Sequence, residues 1–323
     1  MSTNHKPTDY IIFIHGVNVR NEPAYRYQAK KMFKNISATI SNPSRDLKPV
    51  ILYWGNVGED STNSLLNELQ NASTWDKFWF KKLRTDQFLS FVGDAAIYLS
   101  RFASSTIVRQ ITNQAIDEME MSPEEIKDPP EGDRLHLVTH SWGTVVLFDI
   151  LFASRWDSPS VSDETRQLIG NIRRGFFGVG AGEEEKSYGI PLASIHTMGS
   201  PIALFNLMNI NGSNSFDLTP KFNEFLEALH KKRKQPLAWR NYAHPGDPIA
   251  YPLEGVIPSL LGKGQKCVDV QDIMSPSSWI GGLFGQSILP VIKGGNAHGS
   301  YWTEPKVAQM IGKVIQSTQE SIR

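Results

Sequence analysis

Apolar residues in this chain fall into short runs, separated by longer stretches with a helical period. Six short segments read as strands: the apolar runs Tyr10–Ile14, Val50–Trp54 and Leu135–Val138, and the mixed segments Ser194–Met198, Leu237–Ala243 and Lys266–Val270. Such runs, closed by turn residues, fit strands covered on both faces. Between the first two, Ala24, Ala29, Met32, Phe33 and Ile36 form an apolar stripe that predicts a helix over 23–40. A second helix is expected over 219–234. Its basic end, Lys231-Lys232-Arg233-Lys234, suits the negative pole of the helix dipole. A closing helix is expected from Glu304 to Ile315. Strands alternating with helices predict an α/β protein with a mostly parallel sheet.

Three stretches break the alternation. Residues 60–120 read as long helices rich in aromatics, among them Trp75, Phe78, Trp79, Phe80, Phe88, Phe91, Tyr98 and Phe102. These side chains either pack the helices together or line a pocket or lid. Residues 155–190 contain Gly178-Val179-Gly180-Ala181-Gly182, which lacks the spacing of a dinucleotide-binding turn and reads as a loop. Residues 273–296 form an apolar, glycine-rich loop with Trp279, Leu283, Phe284 and Ile288. The expectation is a single domain over 1–323, with a helical insertion at about 55–130 and a lid loop at about 273–296.

Composition narrows the classes. Of 323 residues, 40% are hydrophobic, enough for a large core. Lys+Arg and Asp+Glu both total 33, so charge makes no case for nucleic acid or an anionic membrane. The single cysteine, Cys267, excludes an internal disulfide and reads as a core thiol in the last strand. The first ten residues hold no apolar signal region, and no run approaches the ~18 apolar residues of a membrane span. A cytoplasmic protein without a transmembrane segment is therefore expected. No HExxH motif, paired CxxC or carboxylate cluster suggests a metal, and no cofactor is expected. Nothing in the sequence sets the oligomeric state.

The chemistry gathers at Leu135–Val146, where L-H-L-V-T-H-S-W-G-T-V-V carries an apolar strand into an apolar helix across Ser141. Thr139 stands two residues before the serine and Gly143 two after. Close strand–helix packing asks for small side chains at both places, so Gly143 fits and Thr139 is a variant. A buried serine in an ordinary turn is the competing reading. The segment resembles the nucleophile elbow of the α/β-hydrolase family, in its lipase and esterase branches. That resemblance covers Tyr10 to about Ile315. It implies an α/β-hydrolase fold with a six-stranded sheet, strands 3–8 in family naming, ordered 4-3-5-6-7-8.

The resemblance also implies a Ser-Asp-His triad in that chain order. Of eight histidines, His298 alone follows the last two strands, in a glycine-flanked loop before the final helix. Asp247 lies in P-G-D-P beyond a strand end, and Trp239, Asn241, Asp247 and Pro248 match a lipase-like W-x-N-x-x-x-x-x-D-P segment. Asp269 and Asp272 are weaker candidates for the acid. The oxyanion hole is assigned to the N–H groups of Trp142 and Val17, with His15-Gly16 resembling the family's His-Gly signature. His15 is expected to hold its loop, His140 to pack or bond locally, and Tyr301 and Trp302 to support the His298 loop. The implied reaction is hydrolysis of a carboxylic ester, with a small-molecule ester or lipid as substrate. A thioesterase or peptidase would use the same residues. A non-catalytic scaffold that binds a lipid or protein is the alternative from another class.

Overall fold

A computed structural model describes residues 5–57, 59–78, 81, 85, 98, 101–122, 125, 129–173, 189–203, 219–275 and 297–320. The strands are β1 (Thr8–Ile14), β2 (Asp46–Leu52), β3 (Arg134–His140), β4 (Leu192–Met198), β5 (Leu237–Ala243) and β6 (Val268–Met274). All pair in parallel, in the spatial order β2-β1-β3-β4-β5-β6. Their carboxyl ends therefore share one rim, where connecting loops can bring distant residues together. The order reverses direction beside β1, so the β1 and β3 loops lie at a topological switch point.

Helices cover both faces. On one, α1 (Glu22–Ser37) and α8 (Pro305–Glu320) lie against each other and against Ile11, Phe13, Ile51, Val138 and Tyr242 of the sheet. Asn21 starts α1 by accepting the Ala24 N–H through its side chain at 2.9 Å. On the other face, α3 (Arg101–Met119), α4 (Trp142–Phe152) and α6 (Thr219–Arg233) enclose Ile12, Leu52, Leu137, Ile195 and Trp239. The remaining helices are α2 (Glu59–Asn71), α5 (Asp163–Asn171) and α7 (Val256–Leu261). Among the described residues no helix is long and apolar enough to cross a membrane.

The helix α3 closes an exposed strand edge. Gln110, Gln114 and Glu118 repeat at i, i+4 and i+8, on one side of the helix. Gln114 accepts the Tyr53 N–H at 2.7 Å, Glu118 accepts the Ile51 N–H, and both glutamines donate to the Tyr53 carbonyl. Odd-numbered amides of this strand thus point away from β1. Pro49 shares that parity, so its missing N–H removes no bond to β1. Tyr98, from the expected insertion, donates to Asp149 of α4 at 2.6 Å.

The sixth strand departs from expectation. It runs Val268–Met274, not Lys266–Val270, and Cys267 ends a 3₁₀ turn before it instead of alternating within it. The segment V-D-V-Q-D-I-M mixes apolar and polar residues, as suits a half-exposed strand at the sheet edge, so it carries no continuous apolar run. Cys267 is buried, as expected of a core thiol. Trp75 is half-buried against Phe78, which is itself 46% exposed. Trp79, Phe80, Phe88, Phe91, the side chain of Phe102, the 178–182 glycines and the 276–296 part of the lid loop lie outside the described residues.

Candidate active site

Strand β3 ends at His140 and α4 begins at Trp142, so Ser141 alone makes the turn. Its backbone is at φ 54° and ψ −130°, a conformation that costs a non-glycine residue about 1–3 kcal/mol. Two bonds hold it there: the Ser141 N–H to the Met198 carbonyl at 2.9 Å, and the Thr144 N–H to the Ser141 carbonyl at 3.1 Å. Gly143 is required by contact. A Cβ there would stand 2.4 Å from the His15 carbonyl oxygen and 3.0 Å from that of Ile14. Thr139 is accommodated because its hydroxyl bonds to that of Thr144 at 2.7 Å. The Ser141 Oγ is buried and makes no hydrogen bond among the described residues.

The loop after β1 presses on this turn. A Cβ on Gly16 would lie 2.5 Å from the Ser141 Cβ and 2.9 Å from its Oγ. His15 fixes the loop. Its Nε2 accepts the Trp54 N–H at 3.0 Å, so the proton resides on Nδ1, which donates to the Gly16 carbonyl at 2.6 Å. The Trp54 indole returns a bond to the His15 carbonyl at 2.9 Å and stacks 5.5 Å from the imidazole. Burial pushes His15 down to about 3, against the raising effect of the Gly16 bond, so the ring is neutral and structural. Asn18 follows at φ 59°, a left-handed position that asparagine tolerates. Val17 and Trp142 are both half-buried against the same core. Trp142 is the first residue of α4, where backbone N–H groups face out of the helix.

Asp247 and His298 meet, with the His298 Nδ1 2.9 Å from the Asp247 Oδ2. Carboxylates only accept, so Nδ1 carries the proton and Nε2 is the basic nitrogen. The same Oδ2 accepts the Tyr301 hydroxyl at 2.8 Å, and Oδ1 accepts the Ile249 N–H at 3.0 Å. Burial alone would raise the Asp247 carboxyl. The His298, Ile249 and Tyr301 donors outweigh it and hold the group below its ordinary value. His140 donates from Nε2 to the His298 carbonyl at 2.7 Å, and the two rings lie 4.7 Å apart. Burial pushes His140 down to about 3, with His298 adding to the effect.

Gly199 joins the two halves. It follows Met198, which holds the Ser141 amide, and its φ is +55°. A Cβ there would lie 2.6 Å from the Asp247 Oδ2 and 3.1 Å from the His298 Nδ1. Ser141, Asp247, His298, His15, Gly16, Val17, Trp142 and Gly143 thus collect at the carboxyl rim of β1, β3, β4 and β5. The weaker acid candidates are committed elsewhere. Asp272 accepts the Leu253 and Glu254 amides and the Asn241 side chain, and Asp269 pairs with Arg240 at 2.7 Å. Gly199 and the linking roles of His140 and Tyr301 carry no spacing signal. The one hint for Gly199 is a glycine directly after an apolar strand. Among the described residues no group of three or more His, Cys, Asp or Glu could hold a metal ion.

The chain is an α/β protein on an all-parallel six-stranded sheet. Comparison with protein-family models, curated proteins and solved structures finds no match.

Proposed function

We propose that the chain is a serine hydrolase of the α/β-hydrolase kind that cleaves a carboxylic ester through an acyl-enzyme. The observation that carries this reading is the Asp247–His298 pair, held at the same sheet rim as a serine in strained backbone geometry. The strand order supports it. Numbering family strands 3–8 from one converts 4-3-5-6-7-8 into the observed β2-β1-β3-β4-β5-β6. The first two strands of the eight-stranded hydrolase sheet have no counterpart among the described residues.

In this reading Ser141 attacks the acyl carbonyl, and the His298 Nε2 takes its proton and later returns one to the leaving alcohol. Asp247 keeps the proton on Nδ1 and stabilises the imidazolium. The Trp142 and Val17 amides stabilise the tetrahedral oxyanion. The missing Ser141–His298 hydrogen bond is compatible with the mechanism, because such contacts are looser before substrate binds. The lipid-like character of the substrate rests on the apolar, aromatic composition of the insertion at about 55–130.

A series of p-nitrophenyl esters, thioesters and amides of rising acyl length tests the reading. Ester turnover is expected to exceed amide turnover and to fall by about 10³-fold or more in Ser141→Ala. An alanine variant with normal turnover would overturn it.

A further inference from the structure

Tyr301 is fully buried three residues after His298, and its hydroxyl bridges two elements. Its oxygen accepts the His244 N–H at the end of β5 at 2.8 Å, and its hydrogen goes to the Asp247 Oδ2 at 2.8 Å. The direction is forced, because an amide can only donate and a carboxylate can only accept. The Oδ2 atom therefore serves two donors, His298 at 2.9 Å and Tyr301.

We infer that Tyr301 is a positioning residue that sets the basicity of His298 by taking part of the charge on Asp247. This rests on the hydrolase reading for its catalytic meaning, but not for its geometry. A carboxylate oxygen with a second donor attracts the imidazole proton less strongly. The phenol thus keeps the base neutral, and able to accept the serine proton, to lower pH than the Asp247–His298 pair would alone. Burial and the neighbouring Asp247 charge both push the Tyr301 hydroxyl far above its ordinary value, so it remains a donor. Among the described residues, the titratable groups facing the pair are His140 from β3, with His15 behind it, His244 and Asp247 from β5 and its loop, and Tyr301 itself. Gly199 packs against the pair and leaves no room there for a side chain.

The test is the titration of the His298 imidazole, read by ¹⁵N shifts in the full chain, in wild type and Tyr301→Phe. The phenylalanine variant is expected to titrate about half to one pH unit higher, a roughly 3–10-fold gain in proton affinity. The acid limb of the ester rate profile should move with it. Site-specific 3-fluorotyrosine at 301 keeps the fold and strengthens the donor, so its midpoint should move lower. A purely structural Tyr301 would change thermal stability and leave all midpoints together, and that result overturns the inference. Ser141→Ala separates the two failures. If ester turnover survives in it, the hydrolase reading falls while the titrations still decide Tyr301. If turnover is lost and the midpoints coincide, the Tyr301 inference alone falls.

Discussion

Gly143→Ala sets two effects of known size against each other. Gly143 lies in the first turn of α4, where alanine is favoured over glycine by at most about 1 kcal/mol. Contact works the other way. The new Cβ would stand 2.4 Å from the His15 carbonyl oxygen and 2.9 Å from its carbonyl carbon. Ordinary contact begins at about 3.4 Å, so helix and loop must part by about 1 Å. The obstacle is backbone, so no rotamer change relieves it. Overpacking of this kind costs about 1–3 kcal/mol, and contact should win over propensity. The net loss of about 1–2 kcal/mol then lowers the melting temperature of a 323-residue chain by about 1–3 °C. The same displacement separates the Val17 loop from the Trp142 amide, and a misplacement near 1 Å costs about 10²-fold in rate. Calorimetry and p-nitrophenyl ester kinetics on the purified variant read both effects. An unchanged or raised melting temperature with full turnover would refute the reasoning.

Acid should unfold the chain early. His15 and His140 are pushed down to about 3 by burial, and burial lowers His136 and His196 as well. Below about pH 6.5 the unfolded chain binds protons that the folded chain refuses, so stability falls as pH falls. His15 and His140 together give a slope of about 2.7 kcal/mol per pH unit. Urea midpoints measured from pH 8 to 4 should drop steeply below 6.5, and a flat profile would contradict the burial argument. Asp9→Asn should destabilise without touching the site. Asp9 holds Arg45 through two bonds, at 2.8 and 2.6 Å, and accepts from Gln319 at 2.6 Å. Breaking one side of such a buried pair costs about 3–5 kcal/mol. Asp9 lies at the far end of β1 from Gly16, so kcat of the folded variant should match wild type. A tenfold fall in kcat would disprove that separation.

Much of this arrangement could be read before any coordinates. Strands β1, β2 and β3 announce themselves as apolar runs, and β5 has the predicted bounds, Leu237–Ala243. Strand β2 begins four residues earlier than its apolar run, because Asp46, Leu47, Lys48 and Pro49 form an edge that burial does not mark. The same physics hides β6, where one face meets solvent. Among site residues, Ser141 and Gly143 are legible because a strand-to-helix turn imposes small neighbours at fixed spacing. Asp247 and His298 are singled out by the chain order that the hydrolase resemblance implies and by their places beyond strand ends, and the structure pairs them. Tyr301 is expected to support the His298 loop, but its bond to Asp247, the contact at Gly199 and the His140 bond to the His298 carbonyl depend on which loops touch, and local sequence does not encode that. The neutral state of His15 is likewise tertiary, since it follows from burial of the ring, with the Trp54 amide from a different strand end fixing its tautomer.

The central claim is that Ser141 is a nucleophile made reactive by the Asp247–His298 pair. The most direct measurement is reaction with a fluorophosphonate probe, located by peptide mass mapping. The account predicts one adduct, on Ser141, forming fast in wild type and at least 10²-fold more slowly in His298→Ala. No adduct on the folded wild-type protein, or one that maps elsewhere, would contradict it.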